Sequence, residues 1–186
     1  MNDTIKIRMA TEEDARPLLE IYTPYITDTV ITFEYEVPTV EEFAGRIRTI
    51  RKQFPYLVAV ENGRIVGYAY ASPYKARAAY NWSVETSIYI DRNYHGKGIG
   101  SMLYETLFAL LKKQGICNVF ACVTLPNEKS EAIHNKFGFS LVGRFQHAGY
   151  KFDGWYDIGW FEMQLNDTND TSGKPKPVIP IGKIEF

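Results

Sequence analysis

The sequence predicts a mixed α/β (α+β) domain built around one central sheet that is flanked by helices. Its apolar residues follow strand-like and helix-like periods in turn, in the order strand, two helices, hairpin and then a β–α–β–α–β–β series. Of the 186 residues, 45% are hydrophobic and 15% are aromatic. This composition supplies enough apolar surface for one compact core and is too apolar for a disordered chain.

The N-terminal segment predicts one strand and two helices. Apolar and polar residues alternate over 5–9, as in a strand with one buried face. Thr11 and Asp14 resemble a helix start, and an apolar helical pattern follows them. Thr39 and Glu42 have the spacing of a capping box, in which each side chain bonds to the backbone of the other residue. A second helix therefore begins after Thr39.

A hairpin comes next. Two apolar runs, 56–60 and 65–71, flank the pair Asn62-Gly63. This pair favours a type I′ turn, because both residues adopt positive φ angles at little cost. Residues 72–82 combine basic side chains with tyrosines and predict a loop.

The second half of the domain predicts four more strands and two helices. A strand over 84–90 leads into a glycine-rich turn, which an apolar helical pattern over 102–111 follows. Gly115 is well placed to end this helix, because glycine adopts the left-handed conformation that helix C-termini favour. The remaining segments are a buried strand over 116–123, a short helix over 127–137 and two strands over 139–145 and 155–165.

Beyond residue 165 the composition changes to Asn, Asp, Thr, Gly and Pro. We therefore expect a folded domain over 1–165 and a proline-rich C-terminal tail over 166–186. The tail is expected to form no regular element and to lie along the surface.

Charge and hydropathy narrow the class of protein. Twenty-one basic and 22 acidic side chains give a net charge of −1, which argues against a basic surface for nucleic acid. No apolar run approaches the ~20 residues that a membrane span needs, and the N-terminus lacks the pattern of a signal peptide. We therefore expect a cytoplasmic protein that binds neither membranes nor nucleic acid. Cys117 and Cys122 have opposite parity in a strand-like run, so no disulfide between them is expected.

The glycine-rich turn between a strand and a helix has the composition of an anion site. Alternating glycines let backbone N–H groups turn toward a pyrophosphate, and the helix adds its positive end. A Walker A loop and a dinucleotide fingerprint both fit poorly, because Gly98 follows Lys97 and Ser101 stands where a third glycine belongs. A turn that binds no ligand also stays open. The remaining interpretation is an acyl-CoA pyrophosphate loop, whose candidate residues are His95, Gly96, Lys97, Gly98, Ile99, Gly100 and Ser101.

The order of elements, this loop and the segment AIHNKFGF at 132–139 resemble the GNAT superfamily of acyl-CoA N-acyltransferases. Within it, four segments resemble phosphinothricin and methionine-sulfoximine N-acetyltransferases: YKARAAYNW at 74–82, ETSIYI at 85–90, LPN at 125–127 and the stretch 149–157. The resemblance runs from residue 5 to residue 165. It implies the GNAT fold, acetyl-CoA as co-substrate and an opening in the sheet between the strands at 84–90 and 116–123.

The resemblance also implies where acetyl-CoA binds. The pantetheine arm is expected to hydrogen-bond like an added strand to the backbone near Ile88, Tyr89 and Ile90. Asn127 is expected to bond the pantetheine through its amide, although it is also well placed as a plain helix N-cap.

Two residues are candidates for acid–base chemistry. The resemblance implies that Glu85 is the general base, whereas its position alone would suit a solvent-facing carboxylate. It implies that His134 works with this glutamate, and two arrangements stay open: His134 orients Glu85, or it carries the proton itself. No acidic or cysteine partner stands at ligand spacing from His95 or His147, so no metal is expected.

The resemblance places the amine substrate beside these residues. An arginine fork and an ammonium suit an acidic group of the substrate, although a solvated basic loop explains the same residues. The implied substrate-binding residues are Phe33, Glu34, Lys75, Ala76, Arg77, Tyr80, Thr86 and Ser87.

The function implied is direct acetyl transfer, within a ternary complex, to the α-amino group of a small amino acid analogue. L-phosphinothricin, methionine sulfoximine and methionine sulfone are the expected acceptors, and herbicide resistance and a homodimer are implied with them. Two alternatives stay open: another amine, such as a polyamine, aminoglycoside or peptide N-terminus, or a non-catalytic CoA-binding module.

Overall fold

The computed structural model describes residues 5–166 and 175–186, and it confirms the mixed α/β class. Four helices are present in these residues: α1 (Ala15–Thr27), α2 (Val40–Arg51), α3 (Ile99–Gln114) and α4 (Glu128–Lys136). The strands are β1 (Lys6–Met9), β2 (Tyr56–Glu61), β3 (Arg64–Pro73), β4 (Ser83–Ile90), β5 (Asn118–Leu125), β6 (Ser140–Lys151) and β7 (Gly154–Gln164).

All seven strands form one open sheet in the order β1-β2-β3-β4-β5-β7-β6. Only β4 and β5 run parallel, and they pair over a short stretch, from Ser83–Asn118 to Glu85–Phe120. Beyond Glu85 the two strands separate, whereas β4 stays paired with β3 along its length. The sheet is therefore split in the middle, as the resemblance implied.

The helices cover the two faces of the sheet. Helices α1 and α2 pack on the face that carries Tyr56, Val58 and Tyr68, whereas α3 packs on the face that carries Leu57 and Ala59. Because successive side chains of a strand point to opposite faces, the same alternation divides β4. Its odd-numbered residues face α1 and α2, and its even-numbered residues face α3.

Local sequence signals explain most of the element boundaries. Thr39 and Glu42 form the capping box at the start of α2, and Asn62 and Gly63 have φ angles of 50° and 80° in the β2–β3 turn. Gly115 ends α3 with a φ of 86°.

Some boundaries differ from the sequence-based expectation. Strand β6 continues to Lys151, well past residue 145. The sequence did not reveal this extension because most residues of the strand are exposed, so apolar and polar residues do not alternate along it. A short 3-10 helix, Ala78–Tyr80, lies within the expected loop at 72–82. Helix α3 begins at Ile99, directly after Gly98 and with Gly100 in its first turn, rather than at residue 102.

The described part of the tail, 175–186, is more ordered than expected. It contains a 3-10 helix at Ile181–Lys183, and Ile181 is buried in the core beside α3. Gln114 holds this segment by donating to the carbonyl oxygen of Ile179 at 2.6 Å. The same side-chain amide donates to the carbonyl oxygen of Gln53 at 2.7 Å. The expectation of a tail without regular structure is therefore wrong for this segment, and residues 167–174 lie outside the described part.

Candidate active site

The glycine-rich turn joins β4 to α3 and borders a cavity of about 670 Å³. Gly96 and Gly98 both have a φ of 78°, a conformation that residues with a side chain rarely adopt, and Gly98 is the N-cap of α3. Backbone N–H groups at a helix N-terminus attract anions. The cavity is within the usual size range of ligand sites. It also borders Ile88, Ile90, His95, Gly100, Ser101 and Asn127.

Lysines lie around this turn. Lys129 and Lys136 line the cavity, and Lys136 donates to the Ser101 hydroxyl at 2.7 Å. Lys97 is not among the described lining residues, but its Nζ lies 4.1 Å from the centre of the ring of Tyr94, which lines the cavity. Of these three, sequence analysis singled out only Lys97, because the other two lysines are brought to the turn by α4.

His95 lies at the β4 side of the same cavity. Its Nε2 is 3.1 Å from the hydroxyl of Tyr25 and 3.2 Å from the carbonyl oxygen of Ile90. Tyr25 also donates to that carbonyl at 2.6 Å, and burial raises the pKa of its hydroxyl. These contacts fix the end of β4, and they involve α1, which sequence analysis had not connected with the loop.

Asn127 caps the N-terminus of α4 and lines the cavity opposite β4. Its side-chain oxygen accepts from the backbone N–H of Ser130 at 3.2 Å. The N-cap role that sequence analysis held open is thus present. In the described residues, no hydrogen bond engages the side-chain nitrogen of Asn127.

A second, smaller cavity of about 60 Å³ lies where the strands separate. It is bordered by β4 residues 86–89, by β5 residues 121–124, and by Tyr104 and His134. Both cavities are also lined by Ile31, Ile88, Asn127 and Ser130, so they adjoin each other. A long ligand in the large cavity could therefore extend into the split of the sheet.

His134 is buried beside this split, and both of its ring nitrogens are engaged. Nδ1 lies 2.6 Å from the carbonyl oxygen of Ser130, which can only accept, so Nδ1 carries the proton. Nε2 then accepts from the Tyr104 hydroxyl at 3.1 Å. Burial lowers the pKa of His134, which favours the neutral ring, and burial raises the pKa of Tyr104. The pair is an uncharged hydrogen-bonded chain.

Glu85 occupies the last position at which β4 and β5 pair, on the opposite face from Thr86. Burial raises the pKa of its carboxyl group, and the nearby positive charge of Lys75 opposes this rise. No hydrogen bond joins Glu85 to His134 in the described residues. The structure therefore brings the two candidates to the same split from different sides of the sheet.

Cys122 lies near Glu85 on β5. Burial, together with the charge of Glu85, raises the pKa of its thiol to about 11. The side chain is thus a thiol rather than a thiolate at neutral pH. Both cysteines are free, as expected.

The loop 28–39 between α1 and α2 lies on the Glu85 face. Its Glu34 does not point freely into the site, because Arg46 donates to both of its oxygens at 2.7 and 3.1 Å. Tyr22 donates to the same carboxylate at 3.0 Å. Thr32 is buried, and its hydroxyl also bonds Tyr22 at 2.8 Å.

The tip of the β6–β7 hairpin holds this loop in place. A side chain at Gly149 would overlap the ring of Phe33, so glycine allows the close approach. Lys151 is only 1% exposed, and its ammonium donates to the carbonyl oxygen of Thr32 at 2.8 Å. The hydroxyl of Tyr35 also donates to the carbonyl oxygen of Tyr150. Phe33 and its neighbours are therefore positioned by the far end of the chain.

The basic loop before β4 is partly organised. The Nζ of Lys75 lies 4.9 Å from the centre of the Tyr74 ring, and the Tyr80 ring packs edge-on against the same tyrosine. Ala76 and Arg77 are exposed. The loop thus brings Lys75 close enough to influence Glu85, whereas Arg77 extends toward solvent.

Sequence analysis missed Tyr104, Tyr25 and Arg46. Tyr104 fits the apolar period of α3 and so cannot be distinguished from a core residue by pattern alone. Among the residues that the structure describes, no group of three His, Cys, Asp or Glu side chains could hold a metal ion. No helix in the described ranges is long and apolar enough to span a bilayer.

Comparisons with known proteins agree with this geometry. The phosphinothricin N-acetyltransferase of Streptomyces coelicolor is 38% identical over 165 residues, which are 87% of this chain and 96% of that protein. The L-methionine sulfoximine/L-methionine sulfone acetyltransferase of Salmonella typhimurium is 27% identical and covers 87% of this chain and 95% of its own length. A crystal structure of a GNAT superfamily phosphinothricin acetyltransferase from Sinorhizobium meliloti in complex with AcCoA superposes with a TM-score of 0.87, at 34% identity, over 93% of this chain and 94% of that one.

Residues 7–160 match the family described as the acetyltransferase (GNAT) domain, which includes the split sheet, the glycine turn and α4. The chain is thus an acetyl-CoA-dependent N-acetyltransferase by its family, and the order of elements that predicted this fold is confirmed. With its fold, its cavity and its relatives in agreement, this chain belongs to the GNAT acetyltransferases.

Proposed function

We propose that this enzyme transfers the acetyl group of acetyl-CoA to the α-amino group of a small amino acid analogue, such as L-phosphinothricin, methionine sulfoximine or methionine sulfone. The observation that carries the proposal is the position of Glu85, the last residue of β4 that pairs with β5. A thioester that enters the split meets this carboxylate at its inner end. The names of the relatives support the class of acceptor.

The glycine turn and the exposed edge of β4 would hold acetyl-CoA. The pyrophosphate fits the N–H groups of 96–101 and the lysines that α4 brings there. The pantetheine fits the backbone of Ile88, Tyr89 and Ile90, which has no β5 partner at this level. Asn127 can bond the arm from the opposite wall. A backbone N–H near Ile88 or Tyr89 would polarise the acetyl carbonyl.

Glu85 would remove the proton from the acceptor. An α-amino group has a pKa of about 8, so most of it is ammonium at neutral pH and cannot attack. A carboxylate with a raised pKa is a stronger base than one in water, which suits this step. The neutral amine then attacks the acetyl carbon, and the C–S bond breaks as the amide forms.

Tyr104 and His134 are suited to the departing thiolate. The Tyr104 hydroxyl borders the small cavity, and His134 accepts a hydrogen bond from it at 3.1 Å. The Tyr104 hydroxyl would turn from His134 Nε2 to the sulfur and give it a proton, and the second proton that the amine nitrogen loses as the amide forms would return to Tyr104 through solvent. In this proposal His134 orients the Tyr104 hydroxyl, and no hydrogen bond in the described residues joins it to Glu85.

The transfer is proposed to be direct. Cys122, which lies near the base, has a pKa of about 11 and is a poor nucleophile at neutral pH. Lys75 would bind the carboxylate of the acceptor, with Arg77 and Tyr80 closing from the loop. Phe33 would pack on the aliphatic part of the acceptor, and Thr86 and Ser87 flank the transfer point.

Thiol release from acetyl-CoA tests the function. We expect turnover with L-phosphinothricin, methionine sulfone or methionine sulfoximine, and none with spermidine, kanamycin or a peptide N-terminus. Mass spectrometry should find the acetyl group on the α-nitrogen. Turnover confined to the second group would contradict the proposal, and CoA binding without turnover on any amine would identify a non-catalytic module.

We also propose that two copies of the chain associate in the cytoplasm. Several large apolar side chains along the β6–β7 hairpin are more than half exposed, and burying them against a second copy would be favourable. Light scattering at micromolar concentration should give twice the mass of one chain. A monomer would contradict this assembly. The exposed apolar side chains of the hairpin are Leu141, Val142, Phe145, Phe152 and Trp155.

By acetylating phosphinothricin, the same protein would confer herbicide resistance.

A further inference from the structure

A third cavity, of about 220 Å³, lies between the sheet and helix α2, on the face that carries Glu85. None of the steps above uses it. Tyrosines form most of its wall, with one basic side chain and one serine. The residues that matter for its chemistry are Arg46, Tyr56, Tyr68, Tyr70 and Ser72.

Two hydroxyl groups of this wall have no partner. Tyr56 and Tyr68 are each 1% exposed, and neither hydroxyl makes a hydrogen bond with any residue of 5–166 or 175–186. Neither hydroxyl oxygen is fully enclosed, and both residues line the cavity. Their rings are stacked 5.8 Å apart, which fixes both hydroxyls in direction. A buried hydroxyl without a partner costs free energy, and a ligand that accepts from it recovers that cost.

The cavity carries no free charge in its described lining. Arg46 is its one charged lining residue, and Glu34 neutralises it through two hydrogen bonds. Burial raises the pKa values of Tyr56 and Tyr68 well above the usual value, so both stay protonated and can donate. The lining therefore offers hydrogen-bond donors to a neutral group. An anion would lose its hydration there without gaining a free cation.

The register of the sheet places this cavity beside the transfer point. Ser72 is paired with Glu85, and Tyr70 is paired with Ser87, on adjacent strands. Side chains of such cross-strand pairs point to the same face. Ser72, which lines the cavity, therefore lies one strand spacing from Glu85, next to an amine bound at that carboxylate. A cavity of 150 Å³ holds benzene, so about 220 Å³ accommodates the side chain of a small amino acid.

We propose that this cavity receives the side chain of the acceptor, and that it selects uncharged side chains that end in hydrogen-bond-accepting oxygens, such as a sulfone or a sulfoximine. The hydroxyls of Tyr56 and Tyr68 donate to these oxygens. The inference rests on the proposed function and narrows it. Among the proposed acceptors, those with a neutral side chain are preferred over the anionic phosphinate.

Isosteric variants test the two hydroxyls. We compare Tyr68→Phe, Tyr56→Phe and the double variant with the wild type, and Tyr156→Phe serves as a control outside the cavity. The acceptors are methionine sulfone and methionine, which lacks the oxygens. Each lost hydrogen bond should raise KM for the sulfone about fivefold, while kcat and the KM for acetyl-CoA stay within about twofold. The Kd of each acceptor for the CoA-loaded protein should change in the same way, and the values for methionine should not change.

The proposed preference for neutral over anionic acceptor side chains is tested separately, through the ion pair of Glu34 and Arg46. The wild type should show a higher kcat/KM for methionine sulfone than for L-phosphinothricin. Glu34→Gln frees the guanidinium of Arg46 and should shift this ratio toward phosphinothricin. A wild type that prefers phosphinothricin, or a ratio that Glu34→Gln leaves unchanged, overturns the proposed selection.

The outcomes separate the inference from the proposed function. If the wild type acetylates methionine sulfone but the phenylalanine variants keep its KM, the inference fails and the function stands. Equal increases in KM for sulfone and methionine would assign the tyrosines a packing role and also overturn it. If the wild type acetylates none of the three acceptors, the proposed function fails and the inference falls with it. Melting temperatures of the variants show whether each is folded.

Discussion

The hydroxyl of Tyr104 lies 3.1 Å from Nε2 of His134, and the other ring nitrogen of His134 is held by the Ser130 carbonyl at 2.6 Å. The two residues come from α3 and α4, which meet beside the split in the sheet. Because both ring nitrogens are engaged, the imidazole has one tautomer and one orientation. Both side chains border the small cavity, and Tyr104 is the one that brings an O–H group to it.

Tyr104→Phe should lower kcat by about 10- to 100-fold, the range expected for losing one proton donor. KM for acetyl-CoA should stay within about twofold, because the ring and its packing remain. Steady-state kinetics with a saturating acceptor measure both values. Tyr94→Phe is a useful comparison, since Tyr94 borders the large cavity away from the split. An unchanged kcat in Tyr104→Phe would exclude this hydroxyl as the proton donor.

Glu85→Gln should lower kcat by about 100-fold or more, because an amide of the same shape cannot take the proton of the ammonium. Calorimetry should find the Kd of CoA nearly unchanged. Cys122→Ser is the matched control on the neighbouring strand, and it should keep most of the activity with no acetyl-enzyme detectable by mass spectrometry. Full activity of Glu85→Gln would remove Glu85 from the chemistry.

The pH profile should report the environment of Glu85. Burial raises the pKa of this group, so kcat/KM should fall as the pH drops through a value above the usual range of a carboxyl group. Lys75 opposes the rise because its charge stabilises the carboxylate. Lys75→Met should therefore move the acid limb of the profile to higher pH. The ionisation of the acceptor affects both proteins equally, and a shift to lower pH would contradict the assignment.

Gln114→Ala should destabilise the fold without affecting the chemistry. Gln114 is fully buried, and its amide donates to the carbonyl oxygens of Gln53 and Ile179. Its removal takes the Gln114 donor from the Ile179 carbonyl, while the Gln53 carbonyl keeps the Ile181 N–H, and it opens a buried space; the free energy of unfolding should fall by about 1–3 kcal/mol. Urea denaturation measures the change. Lys113→Ala, at an exposed neighbour, should cost less than about 1 kcal/mol, and equal losses in the two variants would contradict this role.

Signals that lie close together in the sequence predicted most of the fold. Thr39 with Glu42 and Asn62 with Gly63 determine the capping box and the turn by themselves, so their neighbours in space add little. The glycine turn was recognisable for the same reason, because its conformation depends on its own residues. The expected order of strands and helices is confirmed as a whole.

The rest of the candidate site depends on contacts between distant segments. Tyr104 and His134 are 30 positions apart, and each fits an ordinary helical pattern. Arg46 lies on the exposed side of the α2 pattern, and only the folded chain brings Glu34 onto it. Ile181 was assigned to an unstructured tail because prolines surround it, yet its side chain enters the core. The assigned roles of Glu85, His134 and the loop residues remain predictions for the experiments above.

The bond from Lys151 to Thr32 joins residues 119 positions apart. The proposed acceptor wall therefore depends on the last hairpin, because a chain interrupted before β6 would keep the glycine turn and α4 but would lack the residues that hold the loop 28–39. The same hairpin carries the exposed aromatic residues on its outer surface. A second copy bound at that surface, as proposed, would therefore touch the same hairpin that positions the loop 28–39.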